Sequence, residues 1–177
     1  MIIKKIETGY LSENCYVISI GNDCLIIDPG DDFIKIKKEV GSKNVLATLI
    51  THYHFDHVGA LGNVKEEYNV DVIDYKSDCN QKVGPFNFKI IKTPGHKEDS
   101  VTYYFEDDNV MFTGDFLFKG SIGRCDLAGG NILEMKESIK KIKGYDPSTK
   151  IYPGHGEDSC LKDEILNNPY MRGDYDE

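Results

Sequence analysis

Thr51-His52-Tyr53-His54-Phe55-Asp56-His57 is the stretch whose reading decides the fold. It follows the apolar run Val45-Leu46-Ala47-Thr48-Leu49-Ile50, a strand signal, and leads into a helical pattern. At the end of an extended strand, residues i and i+2 point the same way. His52 and His54 can therefore clasp one ion, while Asp56 and His57, at the turn into the helix, can face a second. A lone histidine is usually a surface or satisfied core residue. Four ionisable groups crowded behind a buried strand are different, because burying them without a partner is costly and a cation removes the difficulty. Their donor types suit zinc, iron or manganese.

Working outward, the other two of the five histidines have a common context: Thr93-Pro94-Gly95-His96 and Tyr152-Pro153-Gly154-His155. Each follows a strand-like run through Pro-Gly, a turn that ends a ladder and frees a side chain at the sheet edge. Thr113-Gly114-Asp115 ends another apolar run, and a carboxylate there can bridge two cations through its two oxygens. The alternative for Asp115, an ordinary turn residue, loses weight beside the other motifs.

Strand signals recur over residues 2–6, 15–20, 24–28, 46–51, 70–75, 86–93, 101–105, 110–113 and 149–152. Helical periodicity falls over 33–40, ending at Gly41, and over 58–68, 132–142 and 161–166. Asn131 is placed to cap the third of these, with Glu134 in capping-box position. A weak echo links 15–28 with 101–115: strand, turn, strand, then an acidic turn, a helix and a strand leading to histidine. Two such ββαβ halves predict a sandwich of two sheets with helices outside.

With 177 residues and 40% hydrophobic content, the chain suits one domain spanning 1–177. No apolar run reaches the ~20 residues of a membrane span, and the start resembles a strand rather than a secretory signal. We therefore expect a cytoplasmic protein with no membrane partner. Five cysteines without a CxxC pair predict free thiols, mostly packing residues, with Cys125 and Cys160 open because each lies near a motif. A formal charge of −9 disfavours nucleic acid.

The order HxHxDH, His96, Asp115, His155 resembles the metallo-β-lactamase superfamily over nearly the whole chain. The resemblance implies an α+β fold, a four-layer αββα sandwich of two similar halves. It implies two divalent cations, most simply zinc, with iron or manganese as options. His52, His54 and His96 would hold the first; Asp56, His57 and His155 the second; Asp115 would bridge them. Asp28, in Ile27-Asp28-Pro29-Gly30, matches a family aspartate that supports the histidine loop from behind.

The stretch Gly120-Ser121-Ile122-Gly123-Arg124-Cys125-Asp126-Leu127-Ala128-Gly129-Gly130 is similar to one in single-domain, glyoxalase II-like (hydroxyacylglutathione hydrolase-like) proteins, with Cys125 for Thr and Ala128 for Pro. Lys97-Glu98-Asp99 is a further departure, which alters charge beside His96. No C-terminal glutathione-binding helical domain is expected after His155. The implied activity is hydrolysis of a small thioester such as S-lactoylglutathione by a hydroxide held between the metals, whose charge brings a shared water's pKa from ~15.7 towards ~7. Asp56 and Asp115 are the expected catalytic carboxylates, with Asp56 also orienting the hydroxide. Ser121 and Arg124 are candidate substrate contacts, Arg124 being equally readable as a loop residue paired with Asp126. Rival readings are a one-iron persulfide dioxygenase of the same fold, a lactone or phosphodiester hydrolase, and a metal-binding module without catalysis.

Overall fold

The computed structural model describes residues 1–173. The first half runs β1 (Ile2–Thr8), β2 (Glu13–Ile20), β3 (Asp23–Ile27), α1 (Phe33–Val40), β4 (Asn44–Leu49), α2 (Phe55–Val58), α3 (Leu61–Tyr68) and β5 (Asp71–Ile73). The second runs β6 (Asn80–Val83), β7 (Phe86–Lys92), β8 (Val101–Phe105), β9 (Val110–Gly114), β10 (Leu117–Phe118), β11 (Ser121–Ile122), α4 (Ile132–Ile142), β12 (Lys150–Pro153), β13 (Ser159–Cys160), α5 (Leu161–Asn167) and α6 (Pro169–Arg172).

Two sheets form, one ordered β1-β2-β3-β4-β5 and one β13-β12-β9-β8-β7-β6, with β10 and β11 as a small separate hairpin. The echo in the sequence becomes a repeated topology. β2 pairs antiparallel with β3 and β3 parallel with β4, with α1 as the crossover. β8, β9, α4 and β12 repeat that pattern.

Successive side chains of a strand face opposite sides, and here both sides are covered. Tyr16, Ile18, Leu25 and Ile27 join Phe88, Tyr103, Phe105 and Phe112 between the sheets. Their neighbours Cys15, Val17, Cys24 and Ile26 face Ile36, Val40 and Val64 of α1 and α3. On the far side Tyr104, Met111 and Ile151 meet Met135, Ile139 and Ile142 of α4. Three apolar layers thus hold four structural ones, the αββα sandwich of the α+β class, which explains why β2 and β3 are continuous apolar runs rather than alternating ones.

A pair of tyrosines locks the halves together. Tyr16 on β2 donates across the sandwich to Pro153 O at the end of β12, at 2.6 Å. Tyr103, the matching residue of β8, reaches Ile50 O just past β4 and Ile73 O, both at 2.7 Å. Each half therefore steadies the strand end from which the other half's histidine loop departs.

Several elements differ from the sequence reading. The helix expected over 58–68 breaks into α2 and α3 because the Ala60 N–H turns away to Pro29 O, 2.9 Å distant. The strand expected over 70–75 shortens to β5, while β6, β10, β11 and β13 are additional. β6 reads Asn-Gln-Lys-Val, a polar edge strand without the apolar signature of its neighbours. Asn131 caps α4 by accepting from Leu133 N and Glu134 N, but its own N–H goes to Gly95 O instead of to Glu134. Among the described residues no helix is long and apolar enough to cross a membrane.

Candidate metal centre

The residues that could hold cations all lie where strands end. His52 follows β4; His54, Asp56 and His57 are carried by the loop and first turn of α2; His96 follows β7; Asp115 follows β9; His155 follows β12. β4 lies parallel to β3, and β12 parallel to β9, so each sheet delivers its loops at its strands' C-terminal edge. The structure brings all seven side chains together.

One group is His52, His54 and His96, with His54 Nδ1 3.1 Å from His52 Nε2 and 2.9 Å from His96 Nε2. A second is Asp56, His57 and His155, with His155 Nε2 3.2 Å from Asp56 Oδ2. Asp115 stands between them: Oδ1 is 3.2 Å from His57 Nε2, and Oδ2 is 3.5 Å from His155 Nε2 and 3.7 Å from His96 Nε2.

The hydrogen bonds on the outer sides of the rings fix which nitrogen faces inward. His96 Nδ1 donates to Arg124 O at 2.8 Å and His155 Nδ1 to Leu11 O at 3.1 Å. His57 Nδ1 donates to Asp28 Oδ2 at 2.9 Å. Thr51 Oγ1 spends its proton on Asp28 Oδ2 and can accept from His52 Nδ1, 3.1 Å away. Four imidazoles therefore turn Nε2 towards one another, the arrangement by which outer partners set histidine ligands on a metal. Two buried atoms at the centre, His57 Nε2 and Asp115 Oδ1, have no hydrogen-bond partner despite their closeness. Lone pairs facing one another at about 3 Å repel unless a proton or a metal cation lies between, and bonds of 2.0–2.1 Å in a tetrahedron put ligand nitrogens about 3.3 Å apart. The donor set fits a metal pair.

The electrostatics of the metal-free centre are divided. Burial, and then the neighbouring His57 and His96 rings, hold His52 well below the ordinary imidazole value, and burial and His96 lower His54. Burial also opposes charge on His57, yet Asp115 and Asp28 outweigh it and hold its pKa well above normal. His155 is raised likewise, burial being overcome by Asp56 and Asp115. Burial would raise both carboxylates, but His155 and His57 leave Asp56 lowered, and His57 leaves Asp115 lowered.

Asp28, at the end of β3, accepts from Thr51 N as well as from Thr51 Oγ1 and His57, so one buried carboxylate orients members of both groups. α4 steadies His96: Ser138 Oγ donates to Pro94 O and Asn131 N to Gly95 O. The tight fit shows at Gly154, where a Cβ would lie 2.3 Å from Asp115 Oδ1 and 2.7 Å from His57 Cε1.

Two neighbours escaped the sequence reading. Asn14 holds the His155 turn, giving its Nδ2 protons to Pro153 O and Gly156 O and its N–H to Gly154 O. Glu13 lies 1% exposed beside His57, its pKa well raised by burial, against which His57 pulls down. The available signal was a polar Glu-Asn pair heading the apolar run of β2.

Arg124 contributes its carbonyl to His96, while its guanidinium forks onto Asp126 with both contacts at 2.7 Å. Ser121 is half-buried in β11 and turns its hydroxyl to Ile122 O. Cys125 donates to Gly123 O, and burial followed by Asp126 raises its pKa, which argues against a reactive thiolate there. Cys160 donates to Pro147 O, away from the centre. Next to Asp56 opens a cavity of about 230 Å³, walled in part by Tyr10, Leu11 and Phe55. Tyr10 and Phe55 are stacked with ring centroids 6.3 Å apart, and both are exposed.

Known proteins resemble this chain in sequence and in fold. The family described as the metallo-beta-lactamase superfamily matches residues 8–79 and 81–155. A probable metallo-hydrolase of Bacillus subtilis, YqgX, is 31% identical over 96% of this chain and 97% of its own. A hydroxyacylglutathione hydrolase of Pelagibacter ubique is 36% identical over 76% of this chain and 62% of its own. Among solved structures, the BLEG-1 B3 metallo-beta-lactamase superposes with a TM-score of 0.91 at 30% identity, covering 97% of this chain and 100% of its own. TTHA1623 in a di-iron-bound form gives 0.85 at 29% identity over 94% and 99%. ETHE1 of Myxococcus xanthus gives 0.89 at 25% identity over 98% and 85%.

Proposed function

The chain belongs to the metallo-beta-lactamase superfamily, and from that premise we propose that it is a binuclear metallohydrolase that cleaves a small thioester to a carboxylate and a thiol. The observation that carries the reading is the convergence of His52, His54 and His96 on one side of Asp115 and of Asp56, His57 and His155 on the other. We propose zinc as the metal, with iron and manganese compatible with the same donors.

Two divalent cations held there would supply a water acidified to near-neutral pKa and an electrophile for the carbonyl oxygen. The chain's own residues do the rest. Asp56 turns Oδ2 to the centre, 3.2 Å from His155 Nε2 and 3.9 Å from His57 Nε2, so it can accept a proton from an attacking water and aim it. Asp28 and Thr51 keep His52 and His57 in the tautomer that leaves Nε2 bare. The stacked Tyr10 and Phe55 and the cavity beside Asp56 offer an apolar seat for the uncharged part of the substrate. A thiolate leaves without needing a proton donor, which suits a centre where Tyr53, from the same loop as His52, already donates to Asp74. The hydroxyacylglutathione hydrolase among the relatives supports the thioester choice over a lactone or phosphodiester.

The test is elemental analysis of freshly purified protein followed by a panel of S-acyl thiols, lactones and chromogenic phosphodiesters. Two metals per chain and preferential thioester turnover are expected. A single iron with oxygen uptake on a persulfide would transfer the reading to a dioxygenase of this fold. Full metal and normal turnover in His54→Ala or Asp115→Ala would end it.

A further inference from the structure

Glu13 begins β2 and is buried among the very groups that hold His57. Its Oε2 accepts from Thr8 Oγ1 at 2.8 Å, but Oε1 has no hydrogen-bond partner and lies 3.8 Å from His57 Nδ1. Glu13, Asp28 and His57 form a compact, fully buried trio. A glycine keeps room for it: a Cβ on Gly30 would stand 2.5 Å from Glu13 Oε2 and 1.8 Å from the Asp56 carbonyl oxygen. The backbone of Glu13 bridges antiparallel to His155. One residue thus meets the loop of Asp28 and the ring of His57 through its side chain and the strand end of His155 through its backbone.

A half-satisfied buried acid beside a second buried carboxylate is expensive for the fold. The nearest compensation is on the far side of the His57 ring, where Nε2 faces the metal centre. We propose that Glu13 is a positioning residue for the cation held at His57, coupling that cation to the carboxylate pair behind the ring. The proposal rests on the binuclear reading above. Coupling of this kind is reciprocal: the acid strengthens the metal, and the metal relieves the buried acid. In the three-histidine group no carboxylate directly backs the rings of His52 and His96, since His96 leans on a carbonyl and His52 on a hydroxyl that passes its proton to Asp28. Glu13 therefore acts on one of the two cations only.

Reciprocity gives a signature that a merely structural residue lacks. In Glu13→Gln the metal-free protein, stripped with a chelator, keeps or gains thermal stability, while one zinc equivalent weakens roughly 10- to 100-fold, the range typical of outer-shell partners. The other equivalent keeps its affinity. Zinc titration by calorimetry with a competing chelator reads both, and Glu13→Asp, which keeps the carboxyl group, restores much of the loss. Should Glu13→Gln fail to fold, Glu13→Met supplies the uncharged arm. Two unaltered zinc affinities overturn the proposal. So does a joint fall of stability and both equivalents, or failure of both uncharged variants to fold. Wild-type protein that takes up no zinc would instead overturn the binuclear reading itself.

Discussion

Asp28 Oδ2 lies 2.9 Å from His57 Nδ1, although 29 positions separate them. The same carboxylate takes the N–H and hydroxyl of Thr51, and through Thr51 steadies His52. Asp28 also sits at φ 49°, a left-handed conformation that Asn shares readily and most residues do not. Asp28→Asn therefore isolates the chemistry from the backbone. It leaves one acceptor oxygen for three donors, so we expect metal affinity to fall roughly 10- to 100-fold at both positions, with the fold kept. Metal content after dialysis and far-ultraviolet circular dichroism check this; undiminished metal would show that the contact is not what orients the rings.

Gly154→Ala tests how tightly the halves close on the centre. The added methyl would stand 2.3 Å from Asp115 Oδ1, inside any permissible contact, with the Gly114 backbone at 3.1 Å behind it. Asp115 has to move, and a displacement of that order removes it from between the two groups. The expected outcome is loss of hydrolytic turnover by more than tenfold, with at least one metal lost and circular dichroism unchanged. Crystals of the variant with Asp115 in its original place would refute the steric argument.

The seven side chains at the centre were legible because each stands in a short motif at a strand end, and motifs of that kind are read from neighbours in the chain. Glu13, Asn14 and the Arg124 carbonyl were not. They act across distances in sequence that no local pattern encodes, and a carbonyl has no residue signature at all. The break between α2 and α3 has the same cause, since the Pro29 oxygen that captures the Ala60 N–H lies on another loop. The repeated ββαβ pattern was legible from strand and turn spacing, whereas β6, β10, β11 and β13 are too short or too polar to register. Arg124 shows the limit from the other side: its motif pointed to substrate, while its guanidinium is engaged by Asp126.

Tyr103→Phe probes the lock between the halves. Tyr103 is fully buried, and its hydroxyl serves the carbonyls of Ile50 and Ile73. Removing it takes the donor from the buried Ile50 carbonyl, which costs about 1–3 kcal/mol, while Ile73 O keeps the Ile50 N–H. Tyr16→Phe, which strips the equivalent bond to Pro153 O, should cost less, since Asn14 Nδ2 still donates to that oxygen. Because Ile50 precedes the His52 loop and Pro153 the His155 turn, each variant should also loosen the metal on its own side of the centre. Denaturant melts of the metal-free protein give the stability change. A loss below 0.5 kcal/mol in both would mean that the cross-sandwich bonds are incidental.

The two groups of ligands should differ in the protons they release. In the metal-free chain burial disfavours charge on His57, but Asp115 and Asp28 prevail and raise its pKa well above normal, so at neutral pH a proton occupies the place a cation takes. That proton stabilises the metal-free fold in full below the unfolded imidazole value of about 6.5, and the contribution drains as pH rises through the elevated folded value. His52 and His54 are shifted the other way, by burial first and then by neighbouring rings, and are already neutral. A cation entering among His52, His54 and His96 should thus displace no proton from those two, whereas one entering at His57 must displace one, so its affinity climbs with pH until the raised pKa is passed. Zinc calorimetry at neutral pH in buffers of different ionisation enthalpy separates the cases: the equivalent at His57 should carry the larger buffer-dependent heat. Raising the pH through that elevated value should likewise lower the melting temperature of the stripped protein and leave the zinc-loaded protein unmoved. Equal proton release at both equivalents would show that Asp28 and Asp115 do not hold a proton on His57.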